Sequence, residues 1–248
     1  MTEDLSLLFD WRLAVAAAVV GLAGVVRGFS GFGSALILTP SLSALYGPTV
    51  AVPLVIVLEV ALSFQLLPNA WPRCDKRQVG LLTLAAMPGI PLGAWILSVS
   101  DPQVLRWAVS GGILAFLAAL LLGLKRKGAA TWPGLVAAGA LSGLTNGASG
   151  IGGPPVVLYY LAGQSIALTI RANVIVFFFA IDLVTLPWLW AQGLVSLSTL
   201  VAGAVTLPLA IVGVAFGSRL FRLASERAFR RVAFAIIAAV ALASALAG

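Results

Sequence analysis

Two short strings hold most of the polar chemistry in this chain of 248 residues. "RGFSGFGS" runs from Arg27 to Ser34, and "NGASGIGG" runs from Asn146 to Gly153. Gly28, Gly31 and Gly33 in the first string let a ligand approach bare backbone, as do Gly147, Gly150, Gly152 and Gly153 in the second. Ser30, Ser34 and Ser149 add hydroxyl donors. A helix that restarts after such a break, near Ser34 or Gly153, exposes unpaired N–H groups and the positive end of its dipole, which together hold an anion. Arg27 opens the first string with a permanent charge, and Asn146 stands at the matching place 119 residues later. Arg27 has a second reading as a snorkelling or ion-paired structural residue. Two acids, Glu59 and Asp182, lie midway along apolar stretches, where each costs roughly 2.5–3.5 kcal/mol by insertion scales. They either carry protons for coupling or form ion pairs, one of them with Arg27.

The elements that must position these residues are membrane helices. Hydrophobic residues make up 61% of the chain and charged residues 9%, against about 25% charged in a soluble domain. Apolar runs long enough to span hydrocarbon follow one another from end to end. The expected fold class is an all-α polytopic membrane protein, a single transmembrane domain over residues 1–248. Ten apolar segments are expected near 12–27, 33–46, 49–68, 79–98, 104–124, 133–146, 152–163, 170–190, 196–219 and 228–247. Both members of the pairs around each glycine string are short. The acidic start "MTEDLSLLFDWR" is unlike a secretory signal, so the first run is kept as a span.

The net charge of +7 points to orientation in the bilayer and away from nucleic acid. Arg73, Lys76, Arg77, Lys125, Arg126, Lys127, Arg171, Arg219, Arg222, Arg227, Arg230 and Arg231 fall on one side if every segment crosses, leaving Arg12, Arg27 and Arg106 elsewhere. The positive-inside rule makes that side cytoplasmic and puts both termini outside a plasma (inner) membrane. The single Cys74 has no disulfide partner, and the absence of His removes a histidine metal site. No metal and no cofactor are expected.

The repeat extends past the glycine strings. The 119-residue offset lays "VIVLEVALSFQLLP" (55–68) on "VIVFFFAIDLVTLP" (174–187), and "GIPLGAWIL" (89–97) returns as "GVAFGSRLF" (213–221) after a further small insertion. Glu59 then matches Phe178, and Asp182 matches Ser63. Repeat 1 covers about 11–124 and repeat 2 about 131–248, each with five segments. Two similar halves with odd crossings face opposite ways, giving an inverted-topology repeat with broken or re-entrant helices at the midplane. Gly-rich strings also serve close helix packing. Their symmetric placement, the short runs beside them and the helix-breaking "GGPP" at 152–155 favour a binding site. Gly-x₃-Gly at 89–93 and 213–217 packs either the two halves or two protomers of a homo-oligomer.

With "RGFSGFGSALILTPSL", "NGASGIGGPPVVLYYL" and the repeated Gly-x₃-Gly helices, the chain resembles the sulfite exporter TauE/SafE family over nearly its whole length. The resemblance implies a permease exporting sulfite or small organosulfonates such as sulfoacetate, with the two glycine-serine strings as binding elements. The bilayer and a small anion are then its partners. Three other readings compete: an importer, a cation- or proton-coupled carrier using Glu59 and Asp182, and an intramembrane enzyme or structural partner. No Walker-type GxxxxGK[ST], H-E-x-x-H or catalytic pairing is present in the sequence, which speaks against ATP hydrolysis and enzyme chemistry.

Overall fold

The computed structural model describes residues 11–101, 104, 111 and 130–246. Among them the chain is all-helical: α1 (Trp11–Ser30), α2 (Ser34–Tyr46), α3 (Pro48–Ala70), α4 (Lys76–Ala86), α5 (Gly89–Val99), α6 (Trp132–Ser149), α7 (Gly153–Leu161), α8 (Ala167–Ala191), α9 (Leu197–Leu223) and α10 (Glu226–Leu246). The segment expected at 104–124, with Arg106 and the following basic run, lies outside the described residues apart from two positions, as does the chain start. Four helices are long and apolar enough to cross a bilayer, Trp11–Ser30, Pro48–Arg73, Ala167–Ala191 and Leu197–Leu223. The pair α4–α5 makes a fifth if counted as one span. The chain is a multi-pass membrane protein.

Starts and stops follow local chemistry. Pro48 opens α3, where a missing N–H is harmless. Asp75 caps α4 by accepting Arg77 N–H and Gln78 N–H at 3.1 Å each, and the adjacent Cys74 is a free thiol. The segment expected as one helix over 79–98 instead bends by 41° between α4 and α5, at the "MPG" of residues 87–89, because proline cannot complete the ladder. Pro208 inside α9 leaves that helix unbroken.

The packing interleaves the chain's two ends. The most extensive contact joins α1 to α9, and the next joins α6 to α5. Both rest on glycine against backbone. A Cβ on Gly28 would lie 2.2 Å from the Val214 carbonyl oxygen, and one on Gly147 would lie 2.2 Å from that of Ile90. In return, a Cβ on Gly217 would lie 2.0 Å from Val25 O, and one on Gly93 2.2 Å from Leu144 O. The Gly-x₃-Gly pairs therefore pack helices within this chain.

Candidate functional site

The helices do not stop where the short apolar runs suggested. α1 continues through Ser30 and α6 through Ser149, so only 31–33 and 150–152 are unwound. Close packing of Gly28 and Gly147 on neighbouring backbone offsets their poor helix propensity. The two breaks open alike. Gly31 (φ 80°) and Gly150 (φ 69°) adopt the left-handed conformation, which only glycine enters freely. Gly31 N–H donates to Arg27 O, and Gly150 N–H to Asn146 O, at 2.8 Å each. The short helices restart at Ser34 and Gly153, and neither has a side-chain cap.

Those two starts line one small buried cavity. Gly33, Ala35 and Leu36 come from the start of α2, and Gly150, Ile151, Gly152 and Gly153 from the second break. Arg27, Asn146, Glu59, Phe178 and Asp182 complete the lining. At this depth N–H groups unsatisfied by a cap remain open to a ligand. The two helix tips differ as donors. Ser34, Ala35 and Leu36 each have an N–H, whereas Gly153 is followed by Pro154 and Pro155, which have none.

Arg27 is 1% exposed and Glu59 3%. Arg27 Nη1 meets Glu59 Oε2 at 2.5 Å, and Arg27 Nη2 donates to Ser63 Oγ at 2.7 Å. Ser34 Oγ donates to the other oxygen of Glu59. The Arg27 guanidinium also lies 5.4 Å from the centre of the Phe178 ring, within cation–π range. Its Nε–H is buried without a hydrogen-bond partner. At the matching positions, Asn146 Nδ2 donates to Asp182 Oδ1 at 3.1 Å and to Thr185 Oγ1 at 3.0 Å. Arg27 to Ser63 and Asn146 to Asp182 are both 36 residues apart. The cavity thus holds one guanidinium and two carboxylates. Among the described residues no cluster of three or more His, Cys, Asp or Glu could hold a metal.

Of the twelve binding candidates, Arg27, Gly33, Asn146, Gly150, Gly152 and Gly153 reach this cavity. Ser34 touches it through Glu59. Gly28 and Gly147 serve helix packing, and Gly31 lies against the Arg171 side chain. Ser30 Oγ sits between Val26 O (2.7 Å) and Phe32 O (2.5 Å) and accepts Phe32 N–H at 3.3 Å. Ser149 Oγ donates to Thr145 O at 2.8 Å and accepts Ile151 N–H at 3.3 Å. Both hydroxyls brace the turn instead of facing the space. The reason is local: a serine at a helix end bonds the nearest orphan backbone groups first.

Sequence reasoning missed four residues. Ser63 and Phe178 were legible as the offset partners of Asp182 and Glu59, but Thr185 had no such signal. Arg171 is counted from the sequence only among the basic residues of one membrane side, at the start of the segment expected at 170–190. It lies 9% exposed in the first turns of α8. Its Nη2 donates to Gly28 O at 2.6 Å and its Nε to Phe29 O at 3.2 Å. Nη2 also reaches Ser218 Oγ on α9 at 3.2 Å. The guanidinium covers the Phe221 ring at 4.6 Å. A cation on the last carbonyls of α1 satisfies them and opposes the negative end of the dipole. The matching position is Val52.

Comparison with known proteins agrees with this architecture. A probable sulfite/organosulfonate exporter TauE from Cupriavidus necator is 27% identical over 231 residues, covering 89% of this chain and 88% of the relative. No solved structure matches the chain. A family model described as sulfite exporter TauE/SafE matches residues 16–244. With membrane-length helices and that match over most of its length, the chain is a transporter, not an enzyme, and belongs to the sulfite exporter TauE/SafE family.

Proposed function

We propose that this protein exports sulfite or a small organosulfonate such as sulfoacetate across the inner membrane, by alternating access around the cavity between the two broken helices. The observation that carries the reading is that the first turns of α2 and α7 and the Arg27 guanidinium line one buried cavity. Sulfite and sulfonates present three acceptor oxygens on a compact anion, suited to clustered N–H donors and an Arg fork. The Cupriavidus necator relative is named for export of that class. Two five-segment repeats, about 11–124 and 131–248, form one transmembrane domain with inverted topology, and both termini lie outside. Pairing α1 with α9 and α6 with α5 through offset-related glycines supports that symmetry and gives the moving parts. An inside-negative potential favours expulsion by about 2.3 kcal/mol per charge per 100 mV, so export runs without ATP.

Efflux of sulfite or sulfoacetate from proteoliposomes containing the purified full chain tests this directly. Transport well above protein-free vesicles is expected. Absence of efflux for both anions, with no binding of either, sinks it. A second reading, cation carriage, has one observation in its favour, the two carboxylates in the same cavity. Asp182→Asn separates the two, since it abolishes cation movement while sparing anion efflux.

A further inference from the structure

In this structure the buried anion on Arg27 is a residue of the protein itself. Glu59 holds Nη1, Ser63 takes Nη2, and the Phe178 ring lies within cation–π range of the guanidinium. The Nε–H remains buried and without a partner at the cavity. A sulfonate entering there approaches a guanidinium whose charge is already matched by a carboxylate. We infer that the anion competes with Glu59 for Arg27, and that Glu59 takes up one proton as the anion binds, so that each anion crosses with about one proton. This rests on the export reading above and adds its coupling.

The argument is one of charge in a dry space. Two anions sharing one guanidinium out of water repel at a few ångströms, and such a pair does not stay doubly ionised. Glu59 is enclosed, with 3% of its surface exposed. Its neighbours are Arg27 from α1, the Ser34 hydroxyl from α2 and, across the cavity, Asp182 from α8. Arg171, also on α8, turns its guanidinium to the Gly28 and Phe29 carbonyls. α9 also packs on α3, and its ionisable residues, Arg219 and Arg222, are exposed at its far end. Asp182 is hydrogen-bonded by Asn146, whereas the contact ion pair of Arg27 is with Glu59, so it is Glu59 that the anion displaces. Glu59 loses its partner. A proton from the compartment to which the cavity is open converts its carboxylate to the neutral acid. When the anion leaves, Arg27 pairs with Glu59 again and the proton is released on that side. No bond other than O–H is made or broken.

The test uses sulfoacetate, whose sulfonate and carboxylate are both ionised near neutral pH and bring no proton. Proteoliposomes of the full chain are loaded with sulfoacetate and an entrapped pH dye, with the membrane potential clamped at zero. Outward sulfoacetate flow is expected to alkalinise the lumen by about one proton per anion. In Glu59→Gln the protons moved per sulfoacetate, read on whatever efflux remains, are expected to fall from about one to none. Two charges then move per anion instead of one, and the flow responds more steeply to an imposed potential. Binding calorimetry on the wild-type protein, in buffers of different ionisation enthalpy, gives the same proton count without any variant, and about one proton taken up per anion is expected. Wild-type efflux with an unchanged lumen pH and no proton uptake on binding overturns this inference while leaving the export reading standing. Alkalinisation that persists in Glu59→Gln also overturns it. No sulfoacetate movement or binding by the wild type removes the organosulfonate reading and this inference with it.

Discussion

The two glycine breaks share a backbone and differ in charge. In each, a left-handed glycine ends the first helix and a serine hydroxyl accepts the N–H two residues on. In each, the string's opening residue reaches a partner 36 positions later. The first break carries a guanidinium paired with Glu59, a run of free N–H groups at the tip of α2, and Arg171 clamped on the outgoing carbonyls of α1. The second carries an amide facing Asp182 and a proline-capped tip. Gly33 is left-handed at φ 91°, whereas Gly152 has φ −84°. The scaffold that breaks a helix in the bilayer is kept twice, and the electrostatics are not. One side of the cavity holds a guanidinium–carboxylate pair beside the start of α2, and the other is acid and amide.

The largest expected effect comes from removing the cation that distinguishes the first break. Arg27→Met should abolish sulfonate efflux and destabilise the protein by about 3–5 kcal/mol, because it strands a buried carboxylate. Asn146→Ala should cost only about 1–3 kcal/mol, the loss of one neutral donor to Asp182. Thermal unfolding in detergent beside vesicle efflux measures both. The double change of Arg27→Met with Glu59→Met should recover most of the stability and none of the transport. Equal effects at 27 and 146 would erase the asymmetry.

A middle-sized effect tests what the breaks have in common. Gly28→Ala and Gly147→Ala each drive a methyl into a neighbouring carbonyl at the same 2.2 Å. Overpacking of that kind costs about 1–3 kcal/mol, and the two variants should lower the unfolding midpoint by similar amounts. A large drop in one alone would show that the two interleaved contacts are not equivalent.

The smallest change sharpens the difference. Pro154→Ala returns an N–H to the tip of α7, and an added donor to a charged ligand is worth about 1.5–3 kcal/mol at most. The nearby Asp182 carboxylate opposes the anion there, so sulfonate binding should tighten by no more than about tenfold. Titration of binding by calorimetry reads it. No change would mean that the anion sits wholly against α2 and Arg27.

Much of this was legible in the residue order because the bilayer imposes local rules. A span must be apolar and helical, so α1, α3, α8 and α9 appear as hydrophobic runs, and an unwound turn needs glycine at Gly31 and Gly150. The restarts at Ser34 and Gly153 could be read from the same strings. The stopping points could not, since helix continues through Gly28 and Gly147 only because α9 and α5 lie against them. The serines misled for a related reason. Ser30 and Ser149 have the right chemistry for a ligand, but the nearest unsatisfied backbone claims it.

By itself the sequence determined the membrane class, the two recurring glycine strings that break helices, and the presence of Arg27 and two acids within apolar stretches. Only the tertiary structure decided that Arg27 pairs with Glu59, that Asn146 takes Asp182, and that Arg171 at the start of α8 holds the end of α1. The physical reason is separation along the chain. Solvent exclusion acts residue by residue and leaves a periodic trace, while a buried charge accepts whichever partner the packing of distant helices brings within hydrogen-bond reach.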